Sequence, residues 1–598
     1  MRRPVRKRGS KIVSLTPPVR GMVVNRPLQD EEGGRAELVE NWIPTSRGLR
    51  IRGGVAKAAY VTDPVLSVWP FNKSGGGAFF AATATDLYEV SAFSPGTAST
   101  PIISSLTSGY FSAAQIGTSG GEYQIAVNGT DYAFLYDGTD LNPITDEAIN
   151  DLAYDALTTE FAVGETVAGG TSGATAEIMA IAHDGTAGTL KIGTVTGGPF
   201  QDNEALTSAS GAAVADGAES SASTTTISGV ATSALSHVWK FKSRLFFVQK
   251  DTLKAWYLGV DSIGGTASDF SLAGTFQRGG SLLFGATWST DAGDGMDDLC
   301  VFVSDQGEVA LYQGTDPSDA SKWALVGRYD ISAPLGKNAS VSAGGDLMIA
   351  TDDGIVPMSQ VRMKDPAAVA FGAVTRDIEP IWRVEADRAS GNVQLVKWSE
   401  NNLLMAVLPD SQRMLTANLQ TGAWAQQKQG WVGNCTAVFG GAAYLGKDDG
   451  YIYQIDTTGL DDGVAFVARY AHSPLSLGGA ASHKQAQMVR YSFYSTFSFN
   501  YKAEIGVDYN VEFGSAPTYA VTNFTVLVWD SGLNWDDGLL WGSDTEAPEQ
   551  ALTTEWRAVS GAGFALAPML QVTSGIGAKL DVELVGIDLA YETGGTVV

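Results

Sequence analysis

The sequence predicts an all-β protein: a β-propeller of six or seven blades, a small inserted β-module, and a carboxy-terminal platform domain resembling a β-sandwich. Three observations carry this. A hairpin pattern recurs along the first three quarters of the chain, a Gly/Ala/Thr-rich repeat interrupts it once, and the tail changes to longer alternating strands. With 598 residues, the chain is well beyond the roughly 250–300 at which a single core stops growing, so several domains are expected. Seventy glycines and the lack of long amphipathic helix patterns favour short strands and tight turns.

The hairpins come first. In each, an apolar strand enters an Asp/Asn/Gly turn and leaves in a second strand, often with Tyr. They turn near Asp86, Gly129, Asp251, Gly307, Gly354, Asp410 and Gly450. The intervals are 43, 122, 56, 47, 56 and 40 residues. Periods of about 40–50 with one hairpin per unit are those of propeller blades. The long interval equals one blade plus roughly 75 residues of something else.

That insertion has its own repeat. "FAVGETVAGGTSGATA" from Phe161 matches "FQDNEALTSASGAAVA" from Phe200. Phe161 aligns with Phe200, Glu165 with Glu204, Val167 with Leu206, and Ser172-Gly173-Ala174 with Ser210-Gly211-Ala212. A folded module fits this better than a flexible linker, and it is expected to project outward from a surface loop. The expected organisation is a basic arm with platform strands at 1–60, propeller at 61–158, module at 159–228, propeller again at 229–456, and platform at 457–598. In the tail, "WDSGLNWDDGLLWGSD" spaces Trp529, Trp535 and Trp541 by six. Such tryptophans read as core or interface anchors.

The net charge of −26 is unevenly placed. Residues 1–52 hold twelve Lys/Arg and five Asp/Glu, a net of +7. The acidic remainder argues against tight nucleic-acid binding, which rests on neutralising phosphates. The run Arg2, Arg3, Arg6, Lys7, Arg8 and Lys11 reads as a solvated arm suited to an acidic neighbour. Two cysteines exclude a disulfide scaffold or a Cys-based zinc site. No apolar run approaches the roughly 20 residues of a membrane span, and no signal peptide is visible.

No catalytic, cofactor or metal site is expected. "GAAYLGKD", from Gly441, resembles a phosphate loop but has Asp448 at the magnesium position and no following helix. His183, His237, His472 and His483 have no metal-ligand spacing. Asp291, Asp294, Asp297 and Asp298 lack the calcium-loop ladder, and position twelve is Phe302. A polysaccharide-degrading propeller would need paired carboxylates, which no spacing singles out.

The segment "LTPPVRGMVVNRPLQDEEGGRAELVENWIPTSRGLRIRGG", residues 15–54, resembles the amino-terminal signature of tail nozzle proteins of short-tailed bacteriophages, also called tail tubular protein B. The match comprises Pro-Pro-x-x-Gly, Asn25-Arg26-x-Leu28, the Glu-Asn-Trp-x-Pro run to Pro44, and Gly48-Leu49-Arg50-x-Arg52-Gly53. The family often has Asp between that Arg and Pro; this chain does not. "SHVWKFKSRLFFVQ" is similar to the family's blade-opening strand, and the tryptophan ladder to its carboxy-terminal region. The resemblance implies a structural virion protein, made in the host cytoplasm. It would assemble as a homohexameric ring below portal and adaptor and conduct genomic DNA during ejection, with tail fibres as further neighbours. On that reading Asn41, Trp42, Pro44, Arg47, Arg50, Arg52, Trp529, Trp535 and Trp541 serve a subunit or adaptor interface. The alternative reading is a tail-associated glycan-binding or polysaccharide-degrading propeller.

Overall fold

The computed structural model describes residues 10–26, 33–289, 298–363, 372–479, 481–496, 498–519, 521–522, 551–575 and 579–596. Trp529, Trp535, Trp541, the arm residues Arg2 to Arg8, and Asp291, Asp294 and Asp297 lie outside them.

Seven small antiparallel sheets follow one another round an axis, so the propeller has seven blades. Their innermost strands are Ser67–Phe71, Ser112–Thr118, Leu235–Phe241, Leu282–Trp288, Ser340–Ala343, Gln394–Trp398 and Cys435–Phe439. Each hairpin anticipated from sequence is the second and third strand of one blade; Ala78–Ala82 with Leu87–Glu89 in blade one and Ala442–Gly446 with Tyr451–Ile455 in blade seven are the first and last. The blades stick together through apolar faces. Seven clusters fill the seven gaps between neighbours, each including residues of both. Burial of these faces supplies most of the ring's stability, because a single blade has no core of its own.

Closure of the ring corrects the expected boundary at residue 60. The strand Val55–Tyr60 leaves the platform and pairs with Tyr451–Ile455, becoming the outermost strand of blade seven. Blade seven receives only three strands from its own stretch of chain, so an early strand completes it. The last gap is then sealed by Val68 and Phe79 of blade one against Ala58, Ala59, Cys435, Ala437 and Tyr444 of blade seven. Both cysteines are free and buried, in different blades.

The insertion is a folded β-module, as its repeat implies, but it spans 149–223 rather than 159–228. Its seven-stranded sheet begins with Ile149–Thr159, which pairs on both sides, and ends with Ser220–Ser223. Phe161 and Phe200 are buried together with Val167 and Leu206. The two copies clasp each other. Glu204 accepts from the Thr171 and Ser172 amides and the Ser172 hydroxyl, at 2.8–2.9 Å for its nearer oxygens. Glu165 reciprocates by accepting from the Ser208 and Ser210 hydroxyls and the Ser210 amide. Each repeat's carboxylate therefore holds the other's Ser-Gly turn.

Both chain ends build the platform. One sheet contains Lys11–Leu15, Trp42–Pro44, Leu49–Ile51, Ser482–Ser495, Ala551–Gly563 and Val582–Thr596. The facing sheet contains Ala36–Glu40, Val467–His472, Tyr501–Val507 and Leu566–Thr573. Tyr491, Phe493 and Leu584 from the first pack with Tyr470, Leu570 and Val572 from the second, which makes a sandwich. The second sheet is also continuous with blade six, because Glu40 lies beside Gln426 in parallel register. Two short helices, Met358–Met363 and Glu379–Ala386, follow the third strand of blade five. The buried Trp382 of the second donates its indole N–H to Thr351 O at 2.9 Å.

Candidate functional site at the platform joint and the propeller axis

The later part of the signature segment, from Glu40 to Gly54, forms the joint between platform and propeller. Asn41 adopts φ 61°, a left-handed conformation that Asn tolerates better than most residues. Its Nδ2 donates to Val467 O at 2.8 Å, and its Oδ1 accepts from Arg52 Nε and Lys428 N, both at 3.0 Å. Trp42 is wholly buried in the platform core, and its carbonyl accepts from Gln427 Nε2. Pro44 ends the strand, with its carbonyl bound by Asn418 Nδ2 at 2.9 Å.

Arg52 is fully buried, and all five of its N–H groups are matched. Nη1 and Nη2 bind the two Asp461 oxygens at 2.8 and 2.7 Å. Nε binds Asn41, and the remaining hydrogens go to Gly53 O and Lys428 O. The guanidinium lies 3.8 Å from the centre of the Phe466 ring. A bidentate, fully bonded guanidinium is the geometry in which a buried pair is strongest.

Arg50 reaches Asp456 at 3.2 Å, in the same loop as Asp461. The Asp456 carboxyl is buried, which would raise its pKa, but Arg50 and Lys579 outweigh this and hold it below the ordinary value. Arg47 reaches Glu583 at 2.5 Å from a largely exposed position. Gly48 passes so close to Leu584 O, and Gly54 to Leu460 O, that a Cβ at either would strike backbone.

These contacts correct the expected roles. The side chains of Asn41, Trp42, Pro44 and Arg52 are buried within their own chain and have nothing to present to a neighbour. The carboxylates that Arg50 and Arg52 meet are Asp456 and Asp461 of the same chain. Arg47 alone of the described set keeps a mostly exposed side chain. Sequence reasoning missed Glu40, which is buried and accepts from Lys428 Nζ at 2.7 Å, Arg469 Nη1 at 2.8 Å and Gln426 Nε2 at 3.0 Å. Its place inside the Glu-Asn-Trp run was the available signal.

The second feature is an open axial cavity of about 650 Å³ lined by the seven innermost strands. One end is crossed by a bar from blade five. Lys337 Nζ donates to Tyr110 O, just before blade two, at 2.7 Å and to Ser236 O, in the innermost strand of blade three, at 3.0 Å, and Asn338 Nδ2 donates to Phe111 O at 3.2 Å. Burial, with Lys250 adding, pulls the Lys337 ammonium down to about 7. His237 ties blades two, three and four. Nε2 faces Gly285 O at 3.0 Å and so carries the proton, leaving Nδ1 to accept from Ser112 Oγ at 2.9 Å. Burial pushes the imidazole down to about 3, so it is neutral at physiological pH.

The phosphate-loop look-alike is a blade turn. Its Lys447 lies over the Tyr453 ring at 4.3 Å, and Asp448 accepts from Asn434 Nδ2. Among the described residues, no group of three or more His, Cys, Asp or Glu is placed to hold a metal ion.

No protein-family model and no curated protein matches the chain. Among solved structures, Sqt1 of Saccharomyces cerevisiae is similar at 11% identity, covering 68% of this chain and 99% of that one, with a TM-score of 0.32. The β-propeller domain of Cps50 (Swd1) from Myceliophteria thermophila is similar at 8% identity, covering 68% of this chain and all of that one, with a TM-score of 0.27. Sqt1 of Chaetomium thermophilum, bound to the N-terminus of the ribosomal protein L10, gives 11% identity, 67% and 98% coverage, and a TM-score of 0.31.

Proposed function

We infer that the chain is the subunit of a bacteriophage tail nozzle, a ring of copies below the portal and adaptor that retains DNA and then conducts it during ejection. The observation that carries the reading is the role of the signature segment. The described residues that carry the resemblance from Glu40 to Gly53 form one joint, in which Glu40, Asn41 and Arg52 lock a β-platform onto blade six and the loop after blade seven. A subunit that hands force from an adaptor to a ring needs such a rigid coupling between its two parts.

The path for DNA then lies between copies. The axis of a single propeller is barred by Lys337 and Asn338, and a cavity of about 650 Å³ is too small for a duplex. A body of net charge −26 would line that shared path with carboxylates and repel phosphates, lowering friction during passage. On this reading the protein is a conduit, not a catalyst. It resides in the virion tail, and its partners are its own copies, the adaptor and the tail fibres.

Light scattering and negative-stain imaging of the full chain, alone and with portal–adaptor complex, test this. A hollow ring, or one that forms only on the complex, is the expected result. A monomer that ignores the complex overturns it, and glycan binding and cleavage become the assays of choice.

A further inference from the structure

The seven innermost strands contain no Asp or Glu, although the chain has 65 acidic residues against 39 basic ones. The wall of the axial cavity as a whole also lacks carboxylates, while Lys240, Lys337 and Lys397 line it. A cationic hole at the centre of a strongly acidic body departs from composition in the direction that favours an anion.

The ammonium groups there have no carboxylate opposite them in the cavity wall. Lys240 and Lys397 have no ion pair among the described residues and stand exposed on blades three and six. Gln394 Oε1 accepts from Thr436 N at 2.9 Å, which turns the amide NH₂ to the other side. Thr436 Oγ1 is buried and has no hydrogen-bond partner. Lys337 uses two of its three hydrogens on the carbonyls of Tyr110 and Ser236. A volume of about 650 Å³ falls within the roughly 300–1,000 Å³ of small-molecule sites, and a wall with lysines and no carboxylate raises the local concentration of anions.

We propose that the axial cavity binds a small multivalent anion bearing phosphate or carboxylate groups, held by Lys240, Lys337 and Lys397 with Gln394 as a neutral donor. The site does not depend on the tail reading. Its occupant would further tie blades three, five and six, across the axis that the Lys337 bar already spans. Burial has made the Lys337 ammonium costly, and an anion beside it would relieve that cost.

Titration calorimetry of the full chain with inorganic pyrophosphate and, separately, citrate tests the proposal at low salt and pH 6.5. One saturable site per chain is expected for at least one of them, and the better binder identifies the group as phosphate or carboxylate. The double variant K240Q/K397Q changes only exposed side chains. It should weaken binding about a hundredfold, roughly tenfold per ammonium lost. K322Q, on the opposite side of blade four, should bind as the parent does. Failure of both anions to saturate overturns the proposal. So does unchanged binding by the double variant, or equal weakening by K322Q, since either means diffuse surface charge.

Discussion

Replacing Arg52 by Met removes a buried cation with five hydrogen bonds and leaves its partner behind. Five hydrogen bonds disappear, two of them to Asp461 at 2.8 and 2.7 Å. Asp461 is 8% exposed and retains Gly430 N–H at 2.9 Å, so its charge is stranded in a dry setting. Breaking a buried pair from one side costs about 3–5 kcal/mol. Packing of the new side chain on Phe466 returns part of the lost contact but none of the charge compensation. Urea unfolding followed by tryptophan fluorescence reads the effect directly, because Trp431 donates to Gly53 O beside the guanidinium. The midpoint of the transition that includes this joint should fall by about 1–2 M. R52M/D461N, which removes the stranded charge, should recover about half. Arg52→Lys keeps the charge but has three donors for five acceptors, so about 2 kcal/mol is lost. If R52M lies within about 1 kcal/mol of the parent, the joint is not held by this pair and the coupling argument fails.

Other consequences follow from single groups. His237 has a folded pKa of about 3 against an ordinary 6.5. The unfolded chain thus binds more protons between those values, and stability must fall as pH drops from 6.5 towards 3; a His237 imidazole proton resonance, assigned by its loss in H237Q, that shifts between pH 6 and 7 in the folded chain would contradict this. Lys337, at about 7 against 10.5, gives a contribution that rises with pH across that interval; Lys337→Met should flatten the urea midpoint between pH 7 and 10, and an unchanged slope would count against a buried ammonium. Glu204→Ala strands the amides of Thr171 and Ser172 and costs the module about 2 kcal/mol, read by hydrogen exchange at those amides. The carboxyl groups of Glu165, through its Ser208 hydroxyl contact, and Glu204, where amide hydrogen bonds outweigh burial, are both held below 4.5. The clasp is therefore complete above that value and should loosen as acid carries pH below it; exchange at Ser172 that is no faster at pH 3, once corrected for intrinsic rate, would refute the clasp.

Much of the architecture was legible because it is local. Strand alternation and turn chemistry act over a few residues, so seven hairpins could be counted, and each is the middle of one blade. The module's repeat was also legible, because Phe161 and Phe200, and Glu165 and Glu204, do the same work in each copy. Its start was misplaced by ten residues because Ile149–Thr159 alternates like any blade strand, and only its pairing partners assign it to the module. The signature glycines and Asn41 marked a special backbone, though not what approached it.

What the amino-acid sequence determined by itself was therefore the β class, the repeated unit, the insertion and the place of the signature. Only the tertiary structure decided the closure of the ring by Val55–Tyr60, the inward fate of Asn41, Trp42 and Arg52, and the carboxylate-free axis. Arg52 meets Asp461 across 409 residues of chain, and the axial lining comes from seven separated strands. Periodicity places a side chain on one face of its own strand. Which distant strand that face meets depends on how seven sheets and both chain ends pack together, and that is settled only by burying all of their apolar faces at once.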